Sequence, residues 1–164
     1  MKYITEDIRR QDRLLDETRA IEILKSAEYG VLSLSDEDGQ PYGIPVNYVW
    51  DGDNKIYIHC APEGKKLRIL EKNNKISFCV VGRTNLLPSK FTTEYESIIL
   101  SGSASTGLSD DEKHHALSLL IDKLSPNDKV IGEKYAEKSF HRVDIIRLDI
   151  EQWSGKSKKI KGMV

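Results

Sequence analysis

Residues 55–74, KIYIHCAPEGKKLRILEKNN, carry the side chains of this chain best suited to chemistry. Lys55-Ile56-Tyr57-Ile58-His59-Cys60 alternates as a strand does, with Ile56, Ile58 and Cys60 on one face and Tyr57 and His59 on the other. Ala61-Pro62-Glu63-Gly64 breaks it, because proline fixes φ and glycine reaches backbone conformations that other residues avoid. Lys65-Lys66-Leu67-Arg68-Ile69-Leu70 are good helix formers, and Asn73-Asn74 offer a stop. The expected result is a strand, a tight turn and a helix whose first turn carries two lysines. That arrangement suits a phosphate: the first helical N–H groups lack intrahelical partners, and the peptide dipoles favour an anion there. Gly64 lets the backbone come close, and Lys65 and Lys66 bring charge. Two lysines at a helix start oppose the dipole, and a charge-assisted contact would return roughly 1.5–3 kcal/mol. The same residues also fit a solvated basic first turn.

Other chemistry is thinly represented. The chain has no G-x-G-x-x-G, P-loop, C-x-x-C or H-E-x-x-H pattern. His114 and His115 are adjacent on a predicted helix and diverge by about 100°, which argues against a joint metal site. His141 precedes a strand and reads as structural. His59 reads either as a hydrogen-bonded barrel histidine or as a switchable donor near the phosphate turn, since its intrinsic pKa is close to neutral.

The elements that position these residues follow in order. Residues 1–17 are highly charged and read as an arm on the surface or on a partner subunit. Thr18 is the expected cap of a helix over 18–28, with Ile21, Leu24 and Ala27 on one stripe. Residues 31–35 form a short strand, and 36–41 a turn rich in Asp and Gly. Over 42–50, Tyr42, Ile44, Val46, Tyr48 and Trp50 share a face, and Pro45 marks an edge or bulge because it cannot donate to a ladder. Residues 51–54 make a hairpin turn. Strands follow at 75–81 and 95–104, with a loop around 82–85 between them. Ser109 and Glu112 form a capping box for a helix burying Ala116, Leu117, Leu120 and Leu124. Pro126 ends that helix, residues 127–139 are partly helical around 134–138, and 143–150 is the last strand.

Six strand-like runs at hairpin spacing predict a mainly β fold: an antiparallel six-stranded barrel with peripheral helices, as one domain over 1–164 with a basic tail at 157–164. Lys+Arg 25 against Asp+Glu 26 gives a formal charge of −1 and argues against a nucleic-acid partner. No apolar run suits a membrane span or signal peptide, so a soluble cytoplasmic protein is expected. Cys60 and Cys79 read as reduced, buried small hydrophobes.

Gly43-Ile44-Pro45-Val46-Asn47-Tyr48, the run Ile56 to Ala61, and Glu63-Gly64-Lys65-Lys66-Leu67 together resemble the FMN-binding split-barrel family related to pyridoxamine 5′-phosphate oxidase. The nitroimidazole-resistance group is the branch they look most like. Tyr95-Glu96-Ser97-Ile98-Ile99-Leu100-Ser101-Gly102, the 116–123 helix and Ile150-Glu151-Gln152-Trp153-Ser154-Gly155-Lys156 extend the match in family order over most of 18–156.

The resemblance implies a homodimer with FMN held between subunits. It places backbone near Val46, Asn47 and Tyr48 along the flavin, puts His59, Gly64, Lys65 and Lys66 at the phosphate, and takes Ser101 and Trp153 from the second subunit. Pyridoxamine phosphate oxidases close with an arginine-bearing C-terminal segment. Lys158-Lys159-Ile160-Lys161-Gly162-Met163-Val164 does not match it, which turns the expectation away from vitamin B6 oxidation. The expected activity is FMN-dependent reduction of a small planar nitroaromatic or quinone-like acceptor, with His59 as the candidate catalytic residue. The alternatives are a non-catalytic flavin carrier or sensor, and a split barrel using haem or deazaflavin.

Overall fold

The computed structural model describes residues 1–6 and 8–160; the end of the basic tail, 161–164, lies outside the described residues. The strands are β1 (Lys2–Tyr3), β2 (Tyr29–Ser35), β3 (Pro41–Asn47), β4 (Val49–Trp50), β5 (Lys55–Cys60), β6 (Lys75–Leu87), β7 (Thr92–Ser105) and β8 (Asp144–Lys158). The helices are α1 (Glu17–Ser26), α2 (Lys65–Lys72), α3 (Asp110–Leu124) and α4 (Lys129–Ser139). The sheet runs β3-β2-β6-β7-β8-β5-β4, every neighbour antiparallel, and β1 adds in parallel to β8. It curls as an open barrel, with no ladder joining β3 to β4. Among the described residues the eight strands are the six expected ones, with the run expected over 42–50 divided at Tyr48 into β3 and β4, plus the two-residue β1, too short to show a periodicity.

Alternation along the strands builds the core. Leu32, Ile56, Ile58, Phe78, Val80, Ile98, Leu100, Ile146 and Leu148 have no exposed surface and point inward together. Leu24 of α1 and Leu67 and Leu70 of α2 close the ends. A second cluster lies on the other side of β5 and β8, where α3 packs Ala116 and Leu120 onto Val49, Tyr57 and Ile145. Tyr57, expected on the face opposite the core, is therefore buried as well. None of the described helices is long and apolar enough to cross a membrane.

Several boundaries differ from the sequence reading. The N-cap of α1 is Asp16, whose carboxylate accepts from Arg19 N at 3.3 Å, and not Thr18; Asp16 also carries the negative charge that the helix dipole favours. Its buried face is Ala20, Ile23 and Leu24, with Ile21 only half-buried. β6 continues through the expected loop at 82–85, with a bulge between Val81 and Thr84 absorbing the irregularity. β8 continues past residue 150 to Lys158, because the long β7 supplies partners for residues 152–158, with Glu151 left out at a register shift. The ladder shifts register at Gly102, where a Cβ would lie 2.0 Å from the Asp149 carbonyl oxygen, so only glycine fits. The 1–17 arm lies along its own β8: Tyr3 OH donates to the Leu15 carbonyl at 2.6 Å, and Leu15 N to the Gly155 carbonyl at 3.0 Å. The capping box holds in its first half, Ser109 Oγ accepting from Glu112 N at 3.3 Å. The Glu112 side chain turns elsewhere.

Candidate functional site

β5 delivers the chain to the turn at 61–64, and α2 starts immediately after it. Gly64 is the N-cap at φ 147°, a backbone state that L side chains rarely adopt, and a Cβ there would meet nothing within 4 Å. Open space thus faces the helix start. No side chain caps α2, and its first turn contains no acidic residue. Among the described ion pairs none includes Lys65 or Lys66. The Lys65 ammonium lies 4.7 Å from the centroid of the Tyr42 ring on β3, a favourable stacking position for a cation. Lys66 is near enough to Cys60 to pull its thiol down, although burial, the larger effect, pushes it up. α2 is locked by Leu67, Ile69 and Leu70 in the core and by Asn73, which donates to the Ser35 carbonyl at 3.0 Å. The result is a rigid helix start with free N–H groups and two cations outside the described ion pairs, which fits a phosphate, although Asp36 and Glu37 share a groove with Lys65.

β3 is the edge strand of its sheet, as Pro45 predicts. Gly43, Pro45 and Asn47 face outward while Tyr42, Ile44 and Val46 turn towards the core. Asn47 donates to the Glu28 carbonyl at 3.0 Å. Tyr48 is fully buried, its hydroxyl donating to the Leu24 carbonyl at 2.7 Å, so it offers a ligand only backbone.

His59 is exposed and lines a groove of about 240 Å³ between α3 and α4, with Leu117, Leu120, Leu124, Tyr135 and Val143 among its walls. Its side chain therefore leaves the strand on the face that α3 covers, and the groove it enters is apolar. Ser101 and Trp153 lie together on β7 and β8, lining a small cavity of about 110 Å³ with Ile99 and Gln152. Trp153 is buried, stacked edge-on against Tyr3, and its Nε1–H has no acceptor.

Two rows of residues connect these places across the outer face of the sheet. Gly43, Ser33, Ser77, Ser101 and Gln152 are successive partners across five strands, and so are Pro45, Val31, Cys79, Ile99 and Ser154. The face is flat and small-chained in one row and apolar in the next. Strand spacing puts Ser101 about 14 Å from Gly43, so Ser101 does not reach a group resting on β3 of its own chain.

Sequence reasoning missed three charged contacts. Arg147 donates to both Glu112 oxygens at 2.9 and 3.1 Å and to Asp149 at 3.0 Å, while Tyr57 OH donates to Glu112 at 3.1 Å. Burial, reinforced by the Glu112 carboxylate, pushes Tyr57 up to about 12. Arg19 holds the buried Glu96 through two contacts of 3.1 and 2.9 Å. Lys123 stands over the Tyr48 ring, and burial lowers it to about 8. The signal available was a lone glutamate in an apolar strand. His114 and His115 do diverge: His114 donates from Nδ1 to the Asp110 carbonyl at 2.8 Å, and His115 meets Tyr57 edge-on.

The comparisons with known proteins agree with this architecture. A family model described as pyridoxamine 5′-phosphate oxidase matches residues 16–157. Among solved structures, a candidate 5-nitroimidazole antibiotic resistance protein from Bacteroides thetaiotaomicron superposes with a TM-score of 0.74 at 22% identity, over 88% of this chain and 86% of that one. The flavocytochrome Anf3 from Azotobacter vinelandii gives a TM-score of 0.80 at 19% identity, over 98% and 76%. The FAD and haem binding protein from Mycobacterium smegmatis gives 0.72 at 20%, over 88% and 72%. No curated protein matches.

Proposed function

The chain belongs to the pyridoxamine 5′-phosphate oxidase family, and on that premise we propose that it is an FMN-binding oxidoreductase reducing a small planar nitroaromatic or quinone-like acceptor. The observation that carries this reading is the uncapped helix start at Gly64, followed by Lys65 and Lys66, which take part in none of the described ion pairs. In this reading these three residues hold the cofactor's phosphate, and the outward face of β3, with backbone near Val46, Asn47 and Tyr48, lies along the ring system. A bound flavin would supply reversible electron transfer. The protein's own task is to bind, orient and shield.

A second copy of the chain completes the site in this proposal. Tyr29, Val81 and Ile99 are exposed by 56%, 50% and 46% on the outer sheet face, a costly display unless covered. A partner packed there would bring its Ser101 to the flavin lying on β3, with Trp153 buried behind it. His59 lines the neighbouring apolar groove, where it would donate to an acceptor or to the phosphate.

The visible spectrum of protein purified without added cofactor, with chromatography of what heat releases, tests the reading. Yellow protein releasing FMN supports it, and reduction of a nitroaromatic with a nicotinamide donor separates an enzyme from a carrier. Colourless protein that also fails to take up added FMN overturns it. The exposed His59 beside an apolar groove favours haem as the second reading, and a Soret band with no flavin absorption would select it.

A further inference from the structure

A cleft of about 450 Å³ opens where β6, β7 and β8 run beyond the barrel, and its walls include Arg19, Arg83, Glu94, Glu96, Lys158 and Lys159. The bulge between Val81 and Thr84 creates it. At that bulge Gly82 lies so close to Glu96 and Ile23 that an added Cβ would sit 3.1 Å and 3.2 Å from them, and Arg83 follows immediately. Four cations therefore face two carboxylates, and both carboxylates are already engaged. Glu96 is only 4% exposed and is held by Arg19. Glu94 accepts from Ile160 N at 2.8 Å and from Asn85 Nδ2 at 2.9 Å. Arg83, Lys158 and Lys159 are left without a carboxylate partner among the described ion pairs; Lys158 reaches only the Thr92 hydroxyl.

We propose that this cleft is a binding site for a diphosphate-bearing small molecule. Arg83, Lys158 and Lys159 stand against the one remaining carboxylate charge of Glu94, whose hydrogen bonds come from neutral groups, and a ligand with more than one negative charge balances the excess. The planar fork of Arg83 matches phosphate oxygens in pairs, while Lys158 and Lys159 act as point charges around them. The buried Arg19–Glu96 pair fixes the cleft wall before any ligand arrives. Such a diphosphate belongs either to a nucleotide cofactor's phosphate chain or to a free nucleotide. The inference stands independently of the flavin reading, because no residue of the phosphate turn takes part.

The test is calorimetric titration of the full-length chain with inorganic pyrophosphate, and then ADP, at low salt. Expected is saturable binding that persists in a Lys65→Ala/Lys66→Ala background, where the other anion site is removed. Adding Arg83→Gln and Lys159→Gln should weaken it at least about tenfold, the loss of two charge-assisted contacts. Both positions are exposed, so circular dichroism should show an unchanged fold. No pyrophosphate binding, or equal affinity after both substitutions, overturns the proposal. Repeating the titration in the presence of saturating FAD distinguishes the sources: competition identifies the diphosphate of a dinucleotide cofactor, and simultaneous binding identifies a separate nucleotide. If the chain binds no flavin, the pyrophosphate titration still reads.

Discussion

The Lys123 ammonium lies 3.7 Å from the centroid of the Tyr48 ring, with no exposed surface and no hydrogen-bond acceptor. It joins α3 to the end of β3, and the Tyr48 hydroxyl continues the link to α1 through Leu24. Burial lowers Lys123 to about 8, below its ordinary range, so folding weakens its hold on the proton.

Lys123 should therefore contribute a gain in stability from pH about 8 to about 10, because the unfolded chain binds its proton more tightly there, while the Cys60 and Cys79 thiols, raised by burial, work against it in the same window. Above that window Tyr57 acts in the opposite direction: raised to about 12, it keeps its proton in the folded state while the unfolded phenol ionises. Lys123→Met should abolish the Lys123 gain and stabilise the protein near neutrality by about 1 kcal/mol, discounted for partial solvent access. Urea melts of both proteins at pH 7 and pH 9.5 would show it; a destabilised Lys123→Met would contradict the assignment.

Arg19 and Glu96 form a pair in which one member is buried and the other faces solvent, with side-chain exposures of 6% and 44% for Glu96 and Arg19. Arg19→Met strands a buried carboxylate, and a loss of about 2 kcal/mol is expected, below the usual cost of breaking a fully buried pair. The two contacts from Arg19 hold Glu96 below the usual carboxylate range. Its contribution is thus present near neutrality and lost as the pH falls through that depressed value. Thermal melts from pH 7 to pH 3 should show a shallower acid loss for Glu96→Gln than for the parent.

Glu112 joins three elements by accepting from Arg147 of β8, from Tyr57 of β5 and, through its backbone, capping at Ser109. Glu112→Gln should cost about 1–2 kcal/mol, since hydrogen bonds to charged groups are lost while Ser109 still caps. Hydrogen exchange should localise the loosening to α3. Uniform loosening of the whole sheet would argue that α3 is not held by this contact.

Much of the fold was legible because the barrel face of most core strands follows a period of two and each turn carries its own chemistry; β5 and β8, buried on both faces at Tyr57 and Ile145, depart from it. The site was legible at 59–66 for the same reason: strand, Pro-Glu-Gly turn and lysines are all local. What escaped was non-local. β8 beyond residue 150 reads Glu-Gln-Trp-Ser-Gly-Lys, with no alternating apolar signal, and only its ladder with β7 makes it a strand. Glu96 looks like a surface residue until Arg19, distant in sequence, packs beside it. The placement of His59 in an apolar groove depends on where α3 and α4 come to rest, which no local spacing encodes.

The central claim is that Gly64, Lys65 and Lys66 form the phosphate seat, and titration of FMN into the apoprotein and its Lys65→Ala/Lys66→Ala variant tests it most directly. Flavin fluorescence gives the affinity and a thermal melt gives the fold. The variant should bind FMN at least about tenfold more weakly, the loss of one or more charge-assisted contacts. Its melting temperature without ligand should change little, because the exposed Lys65 and the half-buried Lys66 take part in none of the described ion pairs. Riboflavin, which lacks the phosphate, should bind both proteins alike. Wild-type FMN affinity in the variant would contradict the account.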